Sequence, residues 1–233
     1  MSGTLYGVGV GPGDTELMTV KAHRLISNAE IIAYPVNGNG DGFAIRIARE
    51  LVNSDAAHVP IHIPMRTERG PAQEAYDEGA DALADHLGAG RDVVYLCEGD
   101  PFFYGSFMYL FERLHERFTC ETIPGVSSIT TCTAALGRPL AARNDRLKVL
   151  PAPLETEILR SELETCEAAA VMKVGRHFAR VRALLEELGL AQVSYVIEQA
   201  SLPEQKVTRL DDVPDDGKPY FSTILIYKGA EQW

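Results

Sequence analysis

The chain has 233 residues, enough for two modest domains or one large one, and 45% of them are hydrophobic, as in proteins with a packed core. Its net charge of −11 argues against nucleic acid or an anionic membrane as the main partner. Because the sequence has neither a run of about 18 apolar residues nor a basic leader followed by an apolar stretch, we expect no transmembrane helix, no signal peptide and a cytoplasmic location.

In the first half of the chain, apolar runs of strand length alternate with segments of helical period. The predicted order is strand 4–8, helix 15–28, strand 30–34, helix 43–51, strand 59–63, helix 71–87, strand 92–97 and helix 107–118. Asp14 stands where it would cap the first of these helices. The compact apolar run 92–97 is typical of a central strand that is covered on both faces.

The second half repeats the alternation and then changes character. It predicts strand 119–123, helix 127–136, strand 147–150, helix 154–166, strand 168–174, helix 179–188 and strands 193–198, 206–210 and 221–227. The last two strands have no helix between them, which indicates an antiparallel finish and a mixed C-terminal sheet. We therefore predict the α/β class, with two α/β domains, 1–118 and 119–233, and a cleft between them.

The four cysteines do not form a recognisable redox or metal motif. Cys97, Cys120, Cys132 and Cys166 are widely separated, and no Cys-x-x-Cys pair is present. That spacing excludes a zinc ribbon and a dithiol redox site, so we expect no metal. The cysteines are predicted to be small buried side chains in a reducing compartment.

A glycine-rich turn follows the first predicted strand. Glycines alternate from Gly7 to Gly13, and the turn ends in Asp14. The pattern suggests a phosphate loop, but Pro12 and Asp14 stand where a G-x-G-x-x-G motif needs glycine, and no Gly-Lys-Ser/Thr follows. The failed spacing disfavours a nicotinamide-dependent oxidoreductase, and a plain strand-to-helix turn without a ligand stays open at this point.

Four further turns follow predicted strands, where ligands gather in open α/β sheets. They are Glu98–Ser106, Pro124–Thr131, Lys173–His177 and Glu198–Ser201. Taken singly, the first is compatible with an ordinary turn or a weak cation site, and the second with simple helix capping by Ser127. Hydroxyls and free amides at a helix start would also suit a carboxylate.

Taken together and in this order, the turns resemble those of the tetrapyrrole (corrin and porphyrin) methyltransferases, which use S-adenosyl-L-methionine. The resemblance rests on the Gly-x-Gly-x-Gly-Pro-Gly-Asp opening, the Glu-Gly-Asp-Pro turn with Tyr104-Gly105-Ser106 after it, and the Pro-Gly-Val-Ser-Ser turn. It runs from Leu5 to Lys228, nearly the whole chain. It implies a two-domain fold and usually a homodimer.

The resemblance also implies a set of site residues. The family binds its methyl donor in a folded form between the two domains, largely through backbone groups, and releases S-adenosyl-L-homocysteine. Carried over by position, the implied contacts in the first three turns are Pro12, Glu98, Gly99, Asp100, Phe103, Ser127 and Ser128. Val174 and Ala200 would hold the adenine through their backbones, and Ser222 and Thr223 would close that pocket. A sulfonium cation suits carbonyls and a carboxylate such as that of Asp100.

Within the family, the chain is most similar to members that methylate carbon 20 of precorrin-2, giving precorrin-3A in cobalamin biosynthesis. A cobalt-containing counterpart of that substrate, and methylation at another position, stay open. Sirohaem-type members carry an aspartate after the second strand, where this chain has Ala33-Tyr34-Pro35. The general base is therefore unassigned, and the candidates are Glu98, Tyr34, Tyr104 and His177.

The substrate implied by the resemblance is rich in carboxylates, which arginines bind well. The candidates are Arg138, Arg143 and Arg146 in the loop after residue 136, and Arg176. A solvated basic patch without a ligand is the alternative for these residues. A binding module that holds the donor or the tetrapyrrole without turnover is the alternative for the whole protein.

Overall fold

The computed structural model describes residues 2–64, 69–214 and 221–229, which form two compact units, 1–127 and 128–233. Both are α/β, as predicted. The first contains strands β1 Thr4–Gly9, β2 Ile31–Val36, β3 Ala57–His62, β4 Val93–Cys97 and β5 Thr119–Ile123, with helices α1 Val20–Ser27, α2 Phe43–Ala48, α3 Arg69–Gly88 and α4 Phe107–Leu114. The second contains β6 Leu147–Pro151, β7 Ala168–Met172, β8 Ser194–Glu198, β9 Lys206–Arg209 and β10 Ser222–Tyr227, with α5 Ser128–Leu136, α6 Thr156–Glu164 and α7 Phe178–Glu187.

The first unit is a parallel sheet of order β3-β2-β4-β1-β5 with helices on both faces. Helices α1 and α2 bury residues such as Ile26 and Ile47 against one face, and α3 and α4 bury Leu83 and Leu110 against the other. β4 is buried along its whole length, as its apolar run predicts. Because all five strands are parallel, their carboxyl ends meet at one edge of the sheet.

The domain boundary differs from the one expected at 118/119. β5 pairs in parallel with β1, from Thr4 opposite Thr119 to Val8 opposite Ile123, so it completes the first sheet. The division between the units follows Ser127. The strand-helix alternation runs unbroken through this region, and for that reason the sequence pattern does not show to which sheet β5 belongs.

The second unit has a mixed sheet of order β6-β7-β10-β8-β9. β10 is antiparallel to both of its neighbours, and β9 is antiparallel to β8, which confirms the predicted antiparallel finish. Helices α6 and α7 pack on one face through residues such as Leu159 and Val181, and α5 packs on the other through Ile129. Among the described helices, none is both long and apolar enough to cross a bilayer.

The single helix predicted over 15–28 is wrong, because the chain breaks it in two. A short 3-10 turn covers Thr15–Leu17, and Asp14 caps it by accepting the Glu16 peptide N–H at 2.8 Å. Met18 and Thr19 are then extended, and the Thr19 hydroxyl oxygen starts α1 by accepting the Ala22 N–H at 3.1 Å. Two consecutive caps therefore give two helical segments where the apolar period indicates one.

Candidate functional site

Three of the motif turns lie together at one edge of the parallel sheet. They follow β1, β4 and β5, which are adjacent in the order β4-β1-β5, and we call this region the first-sheet edge (residues 10–14, 98–105 and 124–127). The helices that come after β1 and β4 pack on opposite faces of the sheet. Ligands bind at such a switch point in open α/β sheets, so the first-sheet edge is a candidate site.

Glycines bring these turns into direct backbone contact. Gly11 and Gly99 exchange two peptide hydrogen bonds, of 3.3 and 2.8 Å. A Cβ added to Gly9 would lie 2.5 Å from the Gly99 carbonyl oxygen, and one added to Gly125 would lie 1.9 Å from the same atom. No other residue fits at Gly9 or Gly125 without displacing a neighbour, so the turns present bare backbone at this edge.

The Asp100 side chain ties two of the turns together. Its Oδ1 accepts the peptide N–H groups of Phe102 at 2.9 Å and Phe103 at 3.0 Å, and its Oδ2 accepts the N–H of Gly125 at 3.0 Å. Both carboxylate oxygens are thus used to hold backbone within the unit. The carboxylate therefore accepts three charge-assisted hydrogen bonds from peptide groups, and its expected contact with a sulfonium stays a prediction.

Glu98, two residues earlier, has a different environment. Within the part of the chain that the structure describes, its carboxylate makes no hydrogen bond, and the side chain remains exposed. Desolvation by surrounding atoms raises the pKa of Glu98, and the charge of Arg46 on α2 opposes that rise. The two acids of this turn therefore differ in their contacts, since Asp100 accepts three peptide N–H groups and the Glu98 carboxylate accepts none from the described chain.

An aromatic pair follows on the same turn. Phe103 is 39% exposed and Tyr104 is 41% exposed, and their rings meet edge to face at 5.2 Å between centroids. Tyr104 has a φ of 58°, and a Cβ on Gly105 would lie 2.5 Å from the Asp100 carbonyl oxygen. A strained backbone that holds exposed aromatic rings beside bare peptide groups is typical of a binding surface.

The second unit has a comparable edge. β6, β7 and β8 are mutually parallel, so their carboxyl ends lie beside the start of the antiparallel β10, and we call this the second-sheet edge (residues 173–177, 199–201 and 221–222). It collects Val174, Ala200 and Ser222, all of which are buried. Thr223 is one residue inside β10, where its side chain hydrogen-bonds to the buried Cys132 thiol.

Backbone strain is concentrated at the same edge. Lys173, Gln199 and Ser201 have φ values of 57°, 48° and 68°, and none of them is glycine. Such conformations cost free energy and persist where the surrounding structure holds them, commonly at ligand sites. The sequence gives no sign of them, because nothing in these residue types requires a left-handed backbone.

The four arginines proposed to bind substrate carboxylates differ in what they contact. Arg146 donates three hydrogen bonds to the Glu167 carboxylate, from Nε at 2.9 Å, from Nη2 at 2.7 Å and from its peptide N–H at 2.9 Å. The Arg138 guanidinium lies over the Tyr227 ring at 4.9 Å from its centroid. Arg143 occupies a left-handed loop position with a φ of 45°. Arg176 contacts only His177, from Nε to Nε2 at 3.4 Å, among the hydrogen bonds of the described chain.

The Arg146–Glu167 pair predicts a pH-dependent effect on stability. Hydrogen bonds from Arg146 lower the pKa of Glu167 to about 2, so the pair stabilises the fold above the usual carboxyl range and loses this effect as the pH falls towards that value. We expect Glu167→Gln to be slightly less stable than wild type at pH 7, with a gap that narrows between about pH 5 and 3. Urea unfolding across that range measures it, and a gap independent of pH would contradict it.

The sequence-predicted residues thus fall into two groups. Pro12, Glu98, Gly99, Asp100, Phe103 and Ser127 belong to the first-sheet edge, and Val174, Ala200 and Ser222 belong to the second-sheet edge, with Thr223 adjoining it. Ser128 is the first residue of α5. Sequence reasoning missed the Asp100–Gly125 bond and the left-handed residues. The contact of Asp100 with the methyl donor stays a prediction.

Comparison with known proteins decides the family. The model of the tetrapyrrole (corrin/porphyrin) methylases matches residues 4–213. The chain belongs to this family. It is 37% identical to a precorrin-2 C(20)-methyltransferase of Sinorhizobium over 96% of this chain and 95% of that protein, and 31% identical to a cobalt-precorrin-2 C(20)-methyltransferase of Salmonella typhimurium over 100% and 98%.

Solved structures of tetrapyrrole methylases share the fold. The uroporphyrin-III C-methyltransferase of Thermus thermophilus, in complex with S-adenosylhomocysteine, matches with a TM-score of 0.71 at 24% identity, covering 97% of this chain and 98% of that one. A cobalt precorrin-4 methyltransferase matches with a TM-score of 0.75 at 22% identity over 96% and 94%. The methylase fold predicted from five short turns is therefore confirmed.

Proposed function

We propose that this methylase transfers a methyl group from S-adenosyl-L-methionine to carbon 20 of precorrin-2, giving precorrin-3A and S-adenosyl-L-homocysteine. The observation that carries the proposal is the 37% identity with a precorrin-2 C(20)-methyltransferase along almost the full length of both chains. The motif turns on which the family resemblance rests lie within the matched region.

The proposed contacts of the methyl donor are those that the family resemblance implies. In the first unit they are Pro12, Glu98, Gly99, Asp100, Phe103 and Ser127, and in the second Ser128, Val174, Ala200, Ser222 and Thr223. The first-sheet edge suits this ligand, because its glycines pack the turns backbone to backbone, with a Cβ at Gly125 lying 1.9 Å from the Gly99 carbonyl oxygen, and peptide groups can then form a cradle for it. Peptide carbonyls favour a sulfonium cation, and nothing at this edge requires a phosphate.

The donor supplies a methyl group on sulfur that is open to direct displacement by a carbon nucleophile. The ring carbon forms the new bond to methyl as the sulfur–methyl bond breaks, and the methylated carbon then loses its proton to a base. We propose Glu98 as that base, since its carboxylate is exposed and unpaired in the described chain beside the glycine contacts. Tyr34 suits the role less well, because burial raises its pKa and its hydroxyl contacts His58 at 3.2 Å.

A cobalt-containing substrate is the second candidate. The observation in its favour is the 31% identity with a cobalt-precorrin-2 C(20)-methyltransferase over the whole chain. We rank the cobalt form second because the identity with the relative named precorrin-2 C(20)-methyltransferase is higher, at 37%.

A methyl-transfer assay tests the function directly. With precorrin-2 and S-adenosylmethionine labelled in its methyl group, we expect label in the macrocycle, at carbon 20 by nuclear magnetic resonance. The parallel reaction with cobalt-precorrin-2 should be slower. Label at another carbon would overturn the position, and an unlabelled macrocycle with both substrates would overturn the methyltransferase and leave a binding module.

Two further proposals concern the location and the oligomeric state of the protein in the cell. A reducing, cytoplasmic location suits the four cysteines, all of which are free thiols. A homodimer is implied by the family resemblance, and sedimentation equilibrium of the purified chain measures it.

A further inference from the structure

A basic cluster lies where β7 ends and α7 begins. We call Arg176, His177 and Arg180 the β7-end cluster; the first two belong to the turn after β7, and Arg180 is in the first turn of α7. From Lys173 to Arg182 the sequence holds no acidic residue, in a chain whose net charge is −11. A concentration of positive charge against this overall balance calls for a local explanation.

Contacts within the cluster leave its charge uncompensated. Arg180 is fixed by neutral acceptors, the Thr156 hydroxyl at 3.0 Å and the Ala152 carbonyl. Arg176 directs its Nε–H at the His177 ring at 3.4 Å, and neither residue has a carboxylate partner in the described parts of the chain. Arg146, which was also proposed to bind substrate carboxylates, differs from Arg176 because Glu167 neutralises its charge.

The pKa of His177 reflects its partial burial and the positive charge around it. Partial burial lowers its pKa, and the charges of Arg176 on its own turn and Arg180 on α7 lower it further. Thr156, which α6 contributes beside Arg180, is neutral. A carboxylate placed between Arg176 and His177 would satisfy the guanidinium and favour the protonated imidazole, so that two cationic donors would grip one anion.

We infer that the β7-end cluster is a carboxylate-binding site that holds an acidic side chain of the macrocyclic substrate. This inference rests on the proposed function for its choice of ligand. The same chemistry could be met by the carboxylate of the methyl donor, which makes the donor the alternative source. Protonation of His177 strengthens the grip, so binding weakens as the pH rises through the pKa of the occupied site.

Equilibrium binding separates the two sources without turnover. Sirohydrochlorin, a tetrapyrrole octacarboxylate, is titrated anaerobically into wild type and Arg176→Gln, with Arg209→Gln as a matched control for loss of one exposed positive charge. We expect about tenfold or greater weakening for Arg176→Gln, little change for Arg209→Gln, and partial recovery for Arg176→Lys. Equal affinity of wild type and Arg176→Gln for sirohydrochlorin would overturn the site.

The ring signals of His177 give an independent readout by nuclear magnetic resonance. We expect its pKa to rise when sirohydrochlorin is added and to stay unchanged with S-adenosylhomocysteine alone, while His115, the residue after α4 in the first unit, serves as the reference ring. A rise caused by S-adenosylhomocysteine alone would overturn the assignment to the macrocycle. If these shifts occur but no methyl is transferred in the assay above, the carboxylate site stands and the proposed function fails.

Discussion

Replacing Asp100 with alanine is expected to lower the affinity for S-adenosylhomocysteine by at least about tenfold and to lower the free energy of unfolding by about 2–4 kcal/mol. The substitution leaves the peptide N–H groups of Phe102, Phe103 and Gly125 without their acceptor. Water replaces part of what is lost, because this region is only half-buried. Calorimetric titration and urea unfolding measure the two effects.

The variant Asp100→Asn tests independently the hydrogen bonds that the side chain makes to each of the two turns. The amide oxygen can still accept the N–H groups of Phe102 and Phe103, whereas the amide nitrogen cannot accept from Gly125. We therefore expect faster hydrogen exchange at the Gly125 amide and little change at Phe102. Unchanged exchange at Gly125 in both Asp100 variants would show that the carboxylate does not hold this turn.

Asp92→Ala provides the control for a carboxylate that serves structure alone. Asp92 accepts the Thr4 peptide N–H at 2.7 Å at the start of β4, the opposite end of that strand from Asp100. We expect this variant to lose some stability and to keep its affinity for S-adenosylhomocysteine. Equal affinity losses for the Asp92 and Asp100 variants would mean that binding follows global stability and not the geometry of the first-sheet edge.

The strands could be predicted from the sequence because burial of a strand requires apolar residues in a recognisable pattern. The run at 92–97 is apolar, and β4 is buried on both faces. The end of the chain lacks helical segments between its strands, and β8, β9 and β10 pair antiparallel. Period and composition report local burial, so they identify strands better than they identify the partners of each strand. The placement of β5 beside β1 is such a partner choice, and it was missed.

The candidate site could be predicted only in part, because the sequence pattern does not show contacts between distant residues. Short motifs located the turns after β1, β4 and β5, because the spacing of their glycines can be recognised in the sequence. The roles of the acids within them depend on contacts between residues 25 positions apart, as in the Asp100–Gly125 bond. Nothing local distinguishes an aspartate that binds backbone from a glutamate that remains available, and Glu98 and Asp100 are separated by a single residue.

The same limit applies to the basic residues. From the sequence alone, Arg146 and Arg176 are equivalent arginines in an acidic chain. In the structure, Glu167 neutralises Arg146, whereas Arg176 lies beside His177. Glu167 precedes β7 and Arg146 precedes β6, and the two meet because these strands are parallel neighbours. Pairing of distant strands therefore decides which arginine is available to a substrate carboxylate.

Gly125→Ala is expected to be the most damaging single methyl group that can be added at the first-sheet edge. The new Cβ would lie 1.9 Å from the Gly99 carbonyl oxygen and 2.9 Å from the Gly9 Cα, both backbone atoms. The turns after β4 and β5 must then separate, which also stretches the bond from Gly125 to Asp100. We expect a loss of about 2–4 kcal/mol in the free energy of unfolding and affinity for S-adenosylhomocysteine too weak to measure in the folded fraction.

Gly88→Ala is the matched control, because a Cβ there meets nothing within 4 Å and the residue ends helix α3. Alanine at that position should be neutral or stabilising by up to about 1 kcal/mol, with unchanged binding. Urea unfolding and calorimetric titration of both variants make the comparison. If Gly125→Ala matched Gly88→Ala in stability and affinity, the backbone contact between Gly99 and Gly125 would have no role in shaping the cradle, since the methyl group would be accommodated at no cost.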